Sequence, residues 1–474
     1  MIRSEERIRR WARETDVLVL GLGCAGAAAA LAAEAAGARV LAIERASGGG
    51  GTTALSGGVI YLGGGTPIQE KCGFEDSPEQ MLRYLSASCG AGADPSRLRV
   101  YCEGSVEHFH WLVAQRVPFK ASFYADTSGD PPTDDGLVFS GNEKAHPFDR
   151  IARPAPRGHV PRIEGPAGGL LMRKLLDAVA ATSVEIFMDS RAISLVRDTS
   201  GAIVGAVIRS GGDQAAIRAR RGVILTTGGF IENRRMVETY APLLRRCRFR
   251  VGAEGDDGSG IRMGMAAGGA AIHMDRASVT LPIYPPKRLA RGVLVNGFGQ
   301  RFVNEDVYYG RLGELALLHQ DGRAYLVLDE ATFERPEIPR EIAAVAETID
   351  GLAVDLGLPD GSLEATLELY NRHAEHCRDP VFHKAPEYLT PLRHPPYAAL
   401  DCTVEGSLYA AFTLGGLHTT IDGQVLTPDG EVIPGLYAAG RASAGVSVGG
   451  YASGLSIGDG TFFGRRAGAH AALR

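Results

Sequence analysis

The chain has 474 residues, 45% of them hydrophobic, and a formal net charge of −5 at pH 7. That length allows two or three domains. So small a charge, with no basic block or acidic tail, argues against a nucleic-acid partner. No run approaches the ~20 apolar residues that span a bilayer, the charged opening MIRSEERIRRWARETD lacks an apolar leader core, and the seven cysteines never form CxxC, so we expect a cytoplasmic protein with reduced thiols, no transmembrane segment and no metal centre.

Residues 1–15 read as a polar leading helix. Asp16 to Leu20 is a short apolar run, the pattern of a buried parallel strand. Gly21, Gly23 and Gly26 follow as G-x-G-x-x-G, and the Ala-rich stretch from Ala27 to Ala36 is a strong helix former. Arg39 to Ile43 is a second strand, closed by Glu44. Such glycines serve a tight turn, backbone approach to a pyrophosphate, and close helix–strand packing. The helix N-terminus would face the phosphates, and Glu44 would accept bonds from ribose hydroxyls. This is a dinucleotide-binding unit. The loop from Arg45 to Gly58, rich in Gly, Ser and Thr, supplies donors for a second contact with the same ligand.

Further along, residues 77–117 read as helices, one of them begun by Asp94-Pro95, and residues 118–167 as a long irregular excursion of the kind that forms walls or lids. Gly168 to Ala180 is a helix, and Val184 to Met188, Ala192 to Arg197 and Ile203 to Arg209 are strands, with a turn at Thr199-Ser200-Gly201. Gly222 to Gly229 is a strand that runs into glycines. The turn Gly255 to Gly260, with Asp256-Asp257, caps a helix from Ile261 to Ala267 and offers a second anion or ribitol site. From 273 to 393 the glycine density falls. There we read a hairpin over Val293–Asn304, a strand over Tyr325–Leu328 and helices over 340–378. Residues 394–474 regain the first domain's texture and end in a helix. The fold class is therefore α/β, with a Rossmann-type domain (1–272 and 394–474) interrupted by an α+β capping domain (273–393).

Four blocks carry a resemblance to the fumarate reductase/succinate dehydrogenase flavoprotein family. They are GLGCAG with Glu44, LTTGGF (225–230) followed by Asn233, RFVNED (301–306), and VIPGLYAAG (432–440) followed by FFGRRAG (462–468). The resemblance spans nearly the whole chain and implies FAD, with the last helix pointing its N-terminus at the flavin. Relatives with covalent flavin use a histidine near the Thr52–Ser56 loop; none stands there in this sequence, so noncovalent FAD is expected. Cofactor contacts are assigned to Gly21, Gly23, Cys24, Ala25, Gly26, Glu44 and Arg45 in the first unit. Thr52, Thr53, Ser56, Gly57 and Gly58 follow in the loop. Ala192, Thr227, Gly228, Gly229, Asn233 and Asp257 come from the middle of the chain, and Gly440, Arg441, Ser456 and Ile457 from its end.

Two departures redirect the substrate. The family's fumarate reductases grip a dicarboxylate with an arginine where this chain has Tyr451, and their proton-donating arginine aligns with Tyr309, beside Tyr308. Guanidinium forks suit carboxylates; phenols suit a neutral ketone. N-E-D-x-Y together with G-Y-A-S-G-x-S-I-G-D-G resembles the 3-ketosteroid Δ4-(5α)-dehydrogenases within the family. That resemblance implies dehydrogenation of a flat apolar ketone, a 3-keto-5α-steroid, through Tyr451 as hydrogen-bond donor to the ketone, Tyr308 as base for the C4 proton, and Ser453 as orienting or relaying group. Family spacing puts Tyr309 in the arginine's place while the dehydrogenase pattern favours Tyr308; adjacent residues of a regular element diverge, so one of the two is expected to face the flavin. Arg311 is a candidate helper for a phenolate. His383, His394 and His418 lack metal-ligand spacing and are read as structural. The alternatives are a Δ1-ketosteroid dehydrogenase, an enoate or fumarate reductase, or a flavin-bearing electron-transfer subunit. The electron acceptor is not encoded in any motif.

Overall fold

The computed structural model describes residues 1–126 and 131–474; residues 127–130 of the irregular segment 118–167 lie outside the described residues. The main sheet has a parallel centre. β1 (Ile2–Ser4) lies at one edge. β2 (Trp11–Leu20) runs into helix α1 (Cys24–Ala35), and β3 (Val40–Ile43) lies beside β2 with Val17 opposite Val40 and Leu20 opposite Ile43. On the other flank of β2 runs the strand Asp213–Leu225, and Val432–Ala438 joins its end in parallel, Leu436 opposite Val223. Val17 to Leu20 are fully buried, as a strand covered on both faces requires.

The predicted leading helix is absent. Ile2–Ser4 pairs in parallel with Leu195–Arg197, Glu5–Arg7 makes a single 3-10 turn, and Trp11 already belongs to β2. Ile8 and Trp11 pack on Val196, Val207 and Ala216, partners some 200 residues away that a local pattern cannot reveal. The strand predicted from Gly222 also starts earlier, at Asp213, because its charged first half pairs with Ile203–Ser210 in an antiparallel hairpin.

The closing helix, Leu455–Leu473, packs along α1. A Cβ on Gly464 would come within 2.4 Å of the Ala25 carbonyl oxygen, and one on Gly468 within 2.1 Å of that of Ala29. The FFGRRAG motif thus sets helix-to-helix distance. It also leaves the N-termini of both helices at the same cavity.

The second lobe is an antiparallel sheet in the order Val293–Asn296, Ala324–Asp329, Tyr397–Asp401, Ile342–Ala346, covered by helices Ile349–Asp355 and Ser362–Ala374. Two expectations are corrected here. Val293–Asn296 turns at 296–300 but takes Ala324–Asp329 as its partner; only Val295 and Arg301 bridge within the predicted hairpin. Ile342–Ala346, expected to be helical, is an edge strand. Tyr397–Asp401 pairs with Ala324–Asp329 in this sheet, while Ala410–Thr413 lies between Ala277–Thr280 and Phe249–Arg250 in a separate three-stranded sheet. RFVNED is scaffolding within the lobe. Arg301 pairs with Glu305 at 2.8 Å and Asp379 at 2.7 Å, and the Lys384 Nζ stands 3.1 Å from Glu305. Burial pushes the Glu305 carboxyl up, but the Arg301 and Lys384 charges more than offset it and hold it below its ordinary range.

Candidate active site

A cavity of about 650 Å³ opens where the glycine turn, the loop after β3 and the start of the closing helix meet. Gly21 turns with φ 102°, and a Cβ there would lie 2.6 Å from the Thr226 carbonyl oxygen, so only glycine fits. Gly23, Cys24 and Ala25 bring the N-terminus of α1 to the wall. The Glu44 carboxylate accepts from the Leu22 N–H at 2.8 Å and the Ala46 N–H at 2.9 Å; these bonds fix it at the edge of the cavity.

Of the sequence-assigned contacts, Gly21, Gly23, Cys24, Ala25, Glu44, Arg45, Thr52, Thr53, Ser56, Gly57 and Gly58 line this cavity, as do Ala192, Thr227, Gly228, Gly440, Arg441, Ser456 and Ile457. Four stand outside the lining. A Cβ on Gly26 would strike the Gly21 carbonyl oxygen at 1.9 Å, so this glycine serves packing. Gly229 donates its N–H to Asp256. Asn233 caps the helix Arg234–Tyr240 and donates to the Asp257 carbonyl. Asp257 pairs with Arg45 at 3.1 Å and Arg191 at 2.7 Å and accepts from the Ser259 N–H. Its neighbour Asp256 lines the cavity instead. That buried carboxylate accepts from Thr52 Oγ1 at 2.7 Å and the Gly229 N–H at 3.0 Å and pairs with Arg441. Residues 251–257 are thereby pinned across the cavity. The double acid in a capping turn was the available signal for Asp256. Ser278, Thr280 and Phe412, which also line the wall, carried none, since two strands paired across more than 100 residues bring them together.

At the other end the wall is phenolic. Tyr308 is buried, and its backbone N–H donates to Asn142 Oδ1 at 2.9 Å. Burial first, then Tyr309 and Tyr451, push its phenol well above the ordinary tyrosine value, while a hydrogen bond from Ser453 works the other way. Tyr451 packs edge-on against Phe412, ring centroids 5.2 Å apart, and its hydroxyl accepts from the Ser456 N–H at 3.1 Å. Burial raises its pKa; the Ser456 bonds oppose that. Tyr308 caps the helix Tyr309–Glu314, where the chain turns, so both Tyr308 and Tyr309 line the cavity, their rings 4.2 Å apart. The expectation that only one would face inward is therefore corrected. Arg311 stands over the Phe148 ring and outside the lining.

Two buried polar atoms on this wall, Thr227 Oγ1 and Arg441 Nη1, have no hydrogen-bond partner among the described residues. With two helix N-termini and a turn whose glycines admit close approach, they fit a ligand with a pyrophosphate at one end and a polar ring system at the other. Among the described residues no group of three or more His, Cys, Asp or Glu could hold a metal ion, and no helix is long and apolar enough to cross a membrane.

A Rossmann-type domain with an inserted lobe, two helix N-termini on one cavity and a phenolic inner end define a flavin-dinucleotide enzyme. The chain belongs to the FAD binding domain family of fumarate reductase/succinate dehydrogenase flavoproteins, whose model matches residues 16–458, and FAD is its cofactor. It is 28% identical to a 3-oxo-5-alpha-steroid 4-dehydrogenase of Comamonas testosteroni over 91% of this chain and 93% of the relative. It is 27% identical to a 3-oxosteroid 1-dehydrogenase of Mycobacterium tuberculosis over 92% and 93%. The solved 3-ketosteroid-Δ4-(5α)-dehydrogenase of Rhodococcus jostii RHA1, in complex with 4-androstene-3,17-dione, is 48% identical, covers 100% of this chain and 99% of its own, and superposes with a TM-score of 0.95.

Proposed function

We propose that this protein is an FAD-dependent dehydrogenase that introduces the C4–C5 double bond of a 3-keto-5α-steroid. The observation that carries the reading is the convergence of Tyr308, Tyr451 and Ser453 at one end of the cofactor cavity, where the family's dicarboxylate enzymes use guanidinium groups. Arg45, Arg191 and Arg441 do line the cavity, but Asp257 pairs with the first two and Asp256 with Nη2 of Arg441, whose Nη1 is left for the cofactor. The likeness to the Comamonas and Rhodococcus enzymes supports the same regiochemistry.

Bound FAD supplies the two-electron acceptor for the hydride at C5. The residues do the rest. Tyr451, its oxygen already accepting from the Ser456 N–H, keeps its own proton free to donate to the C3 ketone and so acidifies the C4 hydrogens. Tyr308 takes the C4 proton, and the Ser453 hydroxyl stabilises the phenolate that this requires. The test is a substrate panel with an artificial acceptor or donor. A 5α-3-ketosteroid is expected to turn over to the 4-ene-3-ketone. A 4-ene-3-ketone oxidised at C1, or fumarate reduced by a reduced dye, as the preferred reaction would refute the proposal.

A further inference from the structure

The irregular segment between the two lobes supplies a short buried loop, Ser140 to Glu143, that neither motif nor cavity lining singles out. Ser140 makes two bonds to Ser453: its Oγ donates to the Ser453 carbonyl at 3.0 Å, and its carbonyl accepts from the Ser453 N–H at 2.8 Å. Two residues on, Asn142 Oδ1 accepts from the Tyr308 N–H at 2.9 Å. One tripeptide thus holds the backbone of Ser453, which belongs to the cofactor domain, and that of Tyr308, which belongs to the inserted lobe.

The loop is itself fixed. The Asn142 N–H donates to the Tyr84 hydroxyl at 2.7 Å. The Gly141 N–H donates to Glu143 Oε2 at 2.9 Å, and Glu143 Oε1 accepts from the Tyr61 hydroxyl at 2.9 Å. A Cβ on Gly141 would lie 2.5 Å from the Tyr84 oxygen and 2.8 Å from the Ala452 Cβ, so the loop sits flush against the chain before Ser453. Ser140, Asn142, Glu143, Tyr61 and Tyr84 are all buried, so no water competes for these bonds.

We infer that Asn142 is a positioning residue for the reaction, its side-chain oxygen setting the place of Tyr308 relative to Ser453. This rests on the roles given to those two residues above. Proton abstraction is steep in distance, and a displacement of about 1 Å can cost about a hundredfold in rate. Binding of the steroid, spread over the apolar wall, is far less sensitive.

The test compares Asn142→Ala and Asn142→Asp with the wild type, each as FAD-loaded full-length protein, using a 5α-3-ketosteroid and its C4-deuterated form. For N142A we expect the flavin spectrum retained, KM within about twofold, kcat down by roughly tenfold to a hundredfold, and a larger C4 isotope effect on flavin reduction. N142D keeps the shape and the acceptor and is expected to hold kcat within several-fold of the wild type. N142A turning over like the wild type, or N142D falling as far as N142A, overturns the inference. Should N142A fail to fold, Tyr84→Phe removes the hydroxyl that holds Asn142; kcat is expected to fall at unchanged KM, and an unchanged kcat overturns the inference. A wild type that does not reduce its flavin with this steroid would instead refute the proposed function.

Discussion

In the proposed reaction two phenols would divide the chemistry by what their oxygens already do. The Tyr451 oxygen accepts from a helix N-terminal N–H, a bond that does not use its own proton. Tyr451→Phe is expected to keep FAD and lose roughly 10²–10³ in kcat; stopped-flow flavin reduction measures this, and near-normal turnover would remove Tyr451 from the reaction. Tyr308 lies among Tyr309, Tyr451 and Ser453, and its burial keeps it protonated at neutral pH. A base held in that form gains with rising pH. We therefore expect kcat to climb through the alkaline range, and Tyr308→Phe to flatten the climb; a wild-type rate independent of pH would contradict the assignment. That Tyr308, Tyr451 and Ser453 share one cavity wall was foreshadowed by bulky Tyr451 amid glycine and small residues and by tyrosines where the resemblance places arginines. The sequence could not disclose Asn142, whose role depends on a backbone N–H 166 residues away.

At the level of elements, the cofactor cavity depends on two contacts between distant segments. The closing helix approaches α1 over Gly464 and Gly468. Gly468→Val would press its side chain on the Ala29 carbonyl, costing about 1–3 kcal/mol of stability; a lowered melting temperature with reduced FAD content is the expected result. Residues 251–257 are held through Asp256 to Thr52, Gly229 and Arg441. Asp256→Ala leaves Arg441 and the Gly229 N–H unmatched, and FAD affinity, measured by fluorescence on dilution, is expected to fall roughly tenfold to a hundredfold. The strand–glycine–helix unit was readable because its signals are local: an apolar run, fixed glycines, an Ala-rich helix. The first 15 residues and Ile342–Ala346 depart from the helical reading because pairing with remote strands decides their state, and neither the short polar opening nor the unbroken apolar run Ile342–Ala346 carries an alternation that would announce a strand.

For the whole molecule, buried titratable groups set the acid limit of stability. His159 is buried, donating from Nδ1 to the Arg157 carbonyl at 3.1 Å and facing Thr66 Oγ1 at 2.7 Å. Burial lowers its pKa from 6.5 to about 4. A histidine depressed on folding contributes stability that is full above its unfolded value and is lost as pH falls from 6.5 toward 4, on the order of 3 kcal/mol. Glu305, also depressed, adds a loss that begins near 4.5 and continues below it. Thermal unfolding followed from pH 7 to 4 should show the steepest decline in the histidine window, and His159→Gln should reduce that slope; an unchanged slope would assign the decline elsewhere. The two-lobed plan was legible from the return of the glycine-rich texture at the C-terminus. The pairing around residues 397–413 left no such local trace, because Tyr397–Asp401 joins Ala324–Asp329 while Ala410–Thr413 joins both Ala277–Thr280 and Phe249–Arg250.

The central claim is that this phenolic site removes hydrogen across C4–C5. Anaerobic mixing of the FAD-loaded protein with one equivalent of a 5α-3-ketosteroid tests it most directly. The account predicts bleaching of the flavin absorbance in a single turnover, with one equivalent of 4-ene-3-ketone formed. A flavin that stays oxidised, or a product with its new double bond at C1–C2, would contradict it.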